Sequence, residues 1–362
     1  MKKLLVLLSS AVMLLGQSAG FAASAPLPDK VFVDSPEWAL TTTQYGGTLL
    51  LSDSPETAPA DGVLYEDKVH GDVRLFFHHV NGTKEPKKIL VLLENHGTKE
   101  ANINVYRYGF SGPGLAYGLI GKDAQLDYLA DRHEAYTVSV PAGGSSLLWE
   151  PLQKMTVKPD ELVNGIFDFK VDQPITVKTV MVPEKYKQET IKSLKVLPND
   201  ETALRGTFAG RDKLLIPNAV YNPPQDGSVV ITLADNEVDP YVIGTDATSG
   251  RPVMNYGNYG VMYHVFMPSI DGKQTFKGYL NPLGGDYGGA LGIKYDFKIQ
   301  PPVLTPKDQP VFGADTITAA ELFGTYQSGK SLWVTFSPPG ASNLPIRLLF
   351  VPDSLTKALD KK

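Results

Sequence analysis

The sequence predicts a mainly β protein: two β-sandwich-like domains with one or two short helices. Three observations carry this expectation. Short runs rich in Val, Ile, Tyr and Phe recur along the 362 residues, several alternating apolar with polar. Turn dipeptides separate them at the spacing of sandwich strands. The chain also holds 34 glycines and 28 prolines, the residues that punctuate such turns.

The elements follow in order. Residues 73–80 form an apolar run that turns at Asn81-Gly82, a dipeptide suited to positive φ, and leads into a second strand over 88–93. Residues 103–108 and 136–140 alternate as half-buried strands do, and 166–171 and 175–182 follow them. A helix is expected between Gly114 and Arg132, with Leu115, Leu119, Leu126 and Leu129 on one face. The Lys-rich stretch 185–196 ends before Pro198 and is the second helical candidate. It marks a junction over 185–203 between an N-terminal β-rich domain, 27–184, and a C-terminal one, 204–354. In the second half, strands are expected over 229–233, 241–244, 260–266, 275–280, 291–299, 332–336 and 346–351.

The first 22 residues read as an export signal. Lys2 and Lys3 precede the apolar run 4–15, which is short for a membrane span, and Gly20-Phe21-Ala22 offers small residues at a cleavage site. The mature chain is then expected to be extracytoplasmic, periplasmic or secreted, with no membrane span after signal cleavage. Its acidic balance, 34 Lys and Arg against 39 Asp and Glu, argues against a nucleic-acid partner. Without cysteine there is no disulfide, thiolate nucleophile or Cys-bound metal.

Candidate chemistry is sparse. Gly16-Gln17-Ser18-Ala19-Gly20 has the spacing of a nucleophile elbow but falls in the signal segment. Ser354 and Lys357 match a Ser-x-x-Lys spacing without its partner motifs. His78 and His79 are adjacent on a strand and so face opposite sides. The run 235–239 offers oxygen ligands of the type calcium takes, a solvated acidic turn being its ordinary reading. Glu161 and Asp168, or another carboxylate pair, would supply the acid and base of a glycosidase if the fold brought them together. The most distinctive feature is Asn255-Tyr256-Gly257-Asn258-Tyr259-Gly260, with Gly285-Asp286-Tyr287-Gly288-Gly289 as its companion. Tyrosines between glycines present flat faces to sugar rings, or fill a core with the hydroxyl bonded to backbone.

Several stretches resemble an uncharacterised family of exported proteins from Firmicutes-type bacteria. They are residues 73–79 with Leu92-Leu93-Glu94-Asn95, Gly112-Pro113, and Leu204-Arg205-Gly206-Thr207-Phe208. Gly257-Asn258-Tyr259-Gly260 and the run 338–345 continue the resemblance, which spans roughly 60–352. Members are often labelled copper amine oxidase-like, after a stalk domain that some carry. The resemblance implies location and fold style but no oxidase activity. Asn255-Tyr256-Gly257-Asn258 is not the oxidase's Asn-Tyr-(Asp/Glu)-Tyr string, and no His-x-His occurs.

The expectation is therefore an exported, non-catalytic cell-envelope protein that binds a glycan or an envelope protein. Tyr256, Asn258, Tyr259 and Asp286 are its candidate ligand-binding residues. No catalytic residue, metal or cofactor is expected. The alternatives are a polysaccharide hydrolase using a carboxylate pair and a purely structural envelope component.

Overall fold

The computed structural model describes residues 27–314 and 316–357; the expected signal peptide, 1–22, lies outside the described residues. The protein is mainly β, built of three sheets with sandwich-like packing. The largest sheet is organised around two long antiparallel strands, Gly62–Asn81 and Leu162–Pro183. The runs 166–171 and 175–182, expected as separate strands, are one strand with a register shift near Pro174. On the free side of Gly62–Asn81 lies the parallel strand Thr48–Ser52, and beyond it Arg205–Ala209. Leu40–Tyr45 pairs instead with Asp212–Pro217 in a seven-stranded sheet, so the two β-rich halves exchange strands. Val229–Leu233, Ile346–Pro352, Thr275–Pro282 and Glu321–Gln327 make the third sheet.

Period-two geometry explains why the central strands read as unbroken apolar runs. Leu49 and Leu51 face one core cluster, shared with Phe208, Phe336 and Phe350. Leu50, between them, faces the other cluster with Leu75, Phe77 and Phe167. Phe76 and Ile166 join the first cluster while their neighbours Phe77 and Phe167 join the second. A strand covered on both faces has no polar side to show.

The helix forms at Tyr117–Ala130, and its leucines are divided: Leu129 is buried and Leu126 packs against the core, but the other two are not covered. Leu115 and Leu119 are exposed, whereas Ile120, Gly121, Ala124, Gln125, Tyr128 and Leu129 are buried. The reason is polar docking. Gln125 donates to the Ser337 carbonyl and accepts from Ala290 N–H at 2.6 Å. Lys122 Nζ donates to the carbonyls of Pro306 and Gln309. At Gly121 the helix meets the loop around Gly340, and a Cβ there would stand 1.7 Å from the Gly340 carbonyl oxygen. Gly121→Val should therefore force the helix off this loop and cost about 1–3 kcal/mol. Urea denaturation reads the loss; an unchanged midpoint would mean that the close approach is dispensable. The second helical candidate shrinks to Gln188–Ile191, after which Leu197 N–H bonds the Val63 carbonyl.

A buried ionic seam ties the sheets together. Arg74 forks onto Asp168 through Nε at 2.8 Å and Nη2 at 2.9 Å. Its Nη1 reaches Asp212 at 2.8 Å and the carbonyls of Arg211 and Gly260. The Tyr128 hydroxyl donates to Asp168 at 2.8 Å. Burial raises the Asp168 carboxyl, but the Arg74 and Arg211 charges and these hydrogen bonds outweigh it and hold it below the usual range.

Candidate functional site

The site grows from the loop that follows Thr48–Ser52. His79, on Gly62–Asn81, clamps this loop from inside: Nδ1 lies 3.0 Å from the Pro55 carbonyl and Nε2 lies 2.8 Å from Ser52 Oγ. A carbonyl only accepts, so Nδ1 carries the proton and Nε2 accepts from the serine hydroxyl. Burial pushes the ring down to about 4, so it is neutral at physiological pH. This serine–histidine pair has the contact of a nucleophile and its base, yet both residues are fully buried and no substrate reaches them. It is a strut.

Asp200 clamps the loop from the other side. Its carboxylate accepts from Glu56 N–H at 2.8 Å, Ser54 Oγ at 2.9 Å, Thr202 Oγ1 at 2.8 Å and Ala203 N–H at 3.0 Å. Burial raises this carboxyl, and those hydrogen bonds more than offset it, holding it below the usual range. Residues 53–56 are thus fixed from two directions.

The loop forms one wall of a cleft of about 740 Å³, lined also by His78, Glu201, Thr202, Met254, Tyr256, Tyr259 and Asn343. Asp53 is 8% exposed, and its Oδ1 is buried without a hydrogen-bond partner. Burial, then the charges of Glu56 and Asp200, push its carboxyl well above the usual carboxylate range. Glu56 is exposed, and its carboxyl is raised by partial burial and by Asp200. His78 is 2% exposed, its Nδ1 also has no partner, and burial followed by the neighbouring His79 pushes it down to about 3. Gly340 roofs this ring, because a Cβ at that position would lie 2.4 Å from His78 Nδ1.

The sequence-predicted residues fall out as follows. Tyr256 is 55% exposed on the cleft, with Tyr241 packed against it at 76° and 5.9 Å between centroids. Tyr259 lines the cleft with its ring, but its hydroxyl donates to the Ser342 carbonyl at 2.6 Å and it packs against Phe76. Asn258 is fully buried: Oδ1 accepts from Val242 N–H, and Nδ2 donates to the Tyr263 hydroxyl and the Pro240 carbonyl. With φ at +53° it pins the tight loop and does not face a ligand. Asn255 bonds across the same loop to Tyr259 N–H and carbonyl. Asp286 is exposed beside the cleft rather than in it, and its carbonyl accepts from the N–H of the cleft residue Asn343 at 2.8 Å.

Other candidates have structural jobs. Asp168 is locked in the ionic seam, and Glu161 caps its own turn by accepting from Lys158 N–H. In the acidic turn, Asp235 takes the N–H groups of Glu237, Val238 and Asp239. Asp239 is buried against Lys213 Nζ at 2.6 Å and the Tyr263 hydroxyl at 2.5 Å, so a cation already neutralises it. Among the described residues no group of three or more His, Asp or Glu is placed to hold a metal ion. Ser354 stands exposed in a short helix, Asp353–Lys357. Sequence reasoning missed Asp53 and Glu56 entirely. Their one signal was a run of small and acidic residues, Ser52-Asp53-Ser54-Pro55-Glu56, next to a strand buried on both faces.

No family model and no curated protein matches the chain. Among solved structures it is similar to the CUB1-EGF-CUB2 region of human MASP-1/3 at 12% identity, over 86% of this chain and 99% of that one, with a TM-score of 0.19. It is similar to PNGF-II at 11% identity, over 86% of this chain and 65% of that one, with a TM-score of 0.18. For a Paenibacillus xanthan lyase the values are 10% identity, 91% of this chain, 27% of the lyase and a TM-score of 0.17. Likenesses of this size carry no argument about function. Among the described residues, no helix is long and apolar enough to cross a membrane.

Proposed function

We propose that this protein is an exported cell-envelope component that binds a glycan in the cleft between Tyr256 and the Asp53–Glu56 loop. One observation carries the reading: an exposed tyrosine, buttressed by Tyr241, stands on a concave surface lined by the polar side chains of Glu56, Glu201, Thr202 and Asn343. Sugars have that dual character. The apolar face of a pyranose stacks on a flat ring, and its hydroxyls take convergent donors and acceptors. Glu56, Glu201, Thr202 and Asn343 supply polar groups on the same cleft. Export is supported by the N-terminal segment and by the resemblance to exported proteins.

Tyr256→Ala should lower glycan affinity about tenfold or more, in keeping with an aromatic contact worth about 0.5–1.5 kcal/mol beyond its area. Because the ring is exposed, the thermal midpoint should stay within experimental error. An array of envelope glycans probed with the wild type and this variant reads the change. A folded variant that binds as tightly as the wild type would remove Tyr256 from the site.

A further inference from the structure

The hairpin that joins the strands Gly289–Tyr295 and Lys298–Ile299 runs against two ordinary preferences. Its two-residue turn puts Asp296 and Phe297 at φ of +48° and +64°, and glycine is the usual residue at the second of these positions. A bulky side chain held there costs conformational energy, and such cost persists where a site is retained for a task. The Phe297 ring is also 80% exposed, and Ile299 is 83% exposed. The apolar surface continues across the outer face of the seven-stranded sheet. Ile299 and Trp333 both register with Lys294, and Trp333 registers with Phe266, so the four share one row on one face. Trp333 and Phe266 stack with ring centroids 4.6 Å apart and are half-buried. The helix Tyr117–Ala130 covers this face one row away, where Leu129 lies 3.6 Å from a Cβ placed on Gly292. Lys294 and Ile299 remain exposed.

The charge around this tip is basic, in a chain whose overall balance is acidic. Asp296 is paired with Lys330 at 3.2 Å. Lys294 and Lys298 are exposed, and among the described residues neither forms an ion pair. Asp271 and Lys273, on the adjoining turn beside Gly329, add one charge of each sign. We propose that the hairpin docks the protein onto an anionic lipid bilayer, Phe297 and Ile299 entering the acyl boundary while Lys294 and Lys298 meet phosphate headgroups. A protein partner needs a cavity shaped to a protruding ring. A bilayer accepts any apolar side chain that reaches it and rewards the flanking cations. Trp333, beside Lys294, supplies the amphipathic ring that suits the water–lipid interface. The surface shares no residue with the Tyr256 cleft and stands independently of the glycan reading.

The test uses the chain without residues 1–22, whose apolar run would itself bind lipid. It is floated with vesicles of phosphatidylcholine alone and of phosphatidylcholine mixed equally with phosphatidylglycerol. The wild type should float with the anionic vesicles and bind the neutral ones about tenfold more weakly. Phe297→Gly should lower affinity for the anionic vesicles about tenfold or more, because it removes the inserting ring. The same variant should melt close to the wild type, since relief of the positive φ offsets glycine's extra chain entropy. Lost docking is thereby separated from lost folding. Lys294→Gln and Lys298→Gln should each weaken binding about fivefold. A wild type that floats with neither vesicle overturns the proposal. Flotation undiminished in Phe297→Gly overturns the role of the tip, and equal affinity for both vesicles overturns that of the lysines. A wild type that ignores lipid but self-associates in sedimentation, and loses this in Phe297→Gly, overturns the membrane reading in favour of a second copy.

Discussion

Arg74→Ala is expected to cost about 3–5 kcal/mol of folding free energy, enough to unfold a protein of ordinary stability. The guanidinium is 3% exposed and holds Asp168 and Asp212 together with the Tyr128 hydroxyl and two backbone carbonyls. Truncation removes these bonds and, at greater cost, leaves two buried carboxylates facing each other with only Arg211 nearby. The partners sit on the large sheet, the seven-stranded sheet and the helix, so the damage would spread across the molecule rather than stay local. Arg74→Lys should recover only part of the loss, because a point charge cannot make the two-pronged contact to Asp168. Urea denaturation of both variants reads the effect. An Arg74→Ala midpoint within about 1 kcal/mol of the wild type would show that the seam does not hold the sheets together.

Asp53→Asn should do the opposite and stabilise the protein at neutral pH by about 1–2 kcal/mol. The folded state holds this carboxyl well above its ordinary value of 3.8, because of burial and then of Glu56 and Asp200. The unfolded chain releases the proton near that ordinary value. The group's contribution to stability is therefore complete below about pH 4 and is lost as pH rises toward the raised folded value. Asparagine has nearly the same shape, does not titrate, and offers an amide to the neighbouring acids. The variant's advantage should be near zero at pH 3.5 and grow steadily toward pH 7. Thermal midpoints at the two pH values read it. Equal differences at both would mean that the Asp53 carboxyl is not held neutral by the fold. A native residue less stable than its isostere, placed on a cleft, is the signature of a group retained for function.

The strand content was legible because its pattern is local. Residues 136–140, 229–233 and 332–336 are strands at the expected bounds, since alternation with flanking turn residues needs no knowledge of the partner. Thr48–Ser52 and Arg205–Ala209 were less legible, because short strands covered on both sides resemble any apolar run. The helix was placed correctly, but its leucines do not share one environment. Its leucines follow helical period, but its buried face is chosen by Gln125, Lys122 and Gly121 meeting backbone groups more than 160 residues away.

The candidate site divides in the same way. Tyrosines between glycines mark a tight loop from sequence alone, because glycine is the residue that accepts positive φ cheaply; Gly257 and Gly260 have φ of +91° and +76°. Sequence alone thus determined the β character, the turns and the presence of an unusual Tyr-Gly loop. The tertiary structure decided which tyrosine faces out and that Asn258 turns inward. It also decided that Asp53, Glu56 and His78 share one cleft with residues some 200 positions further on. The physical reason is range. Backbone preference and hydrophobic period act over a few neighbours, whereas burial, pairing of charges and the shape of a cleft depend on strands that meet only after the chain has folded.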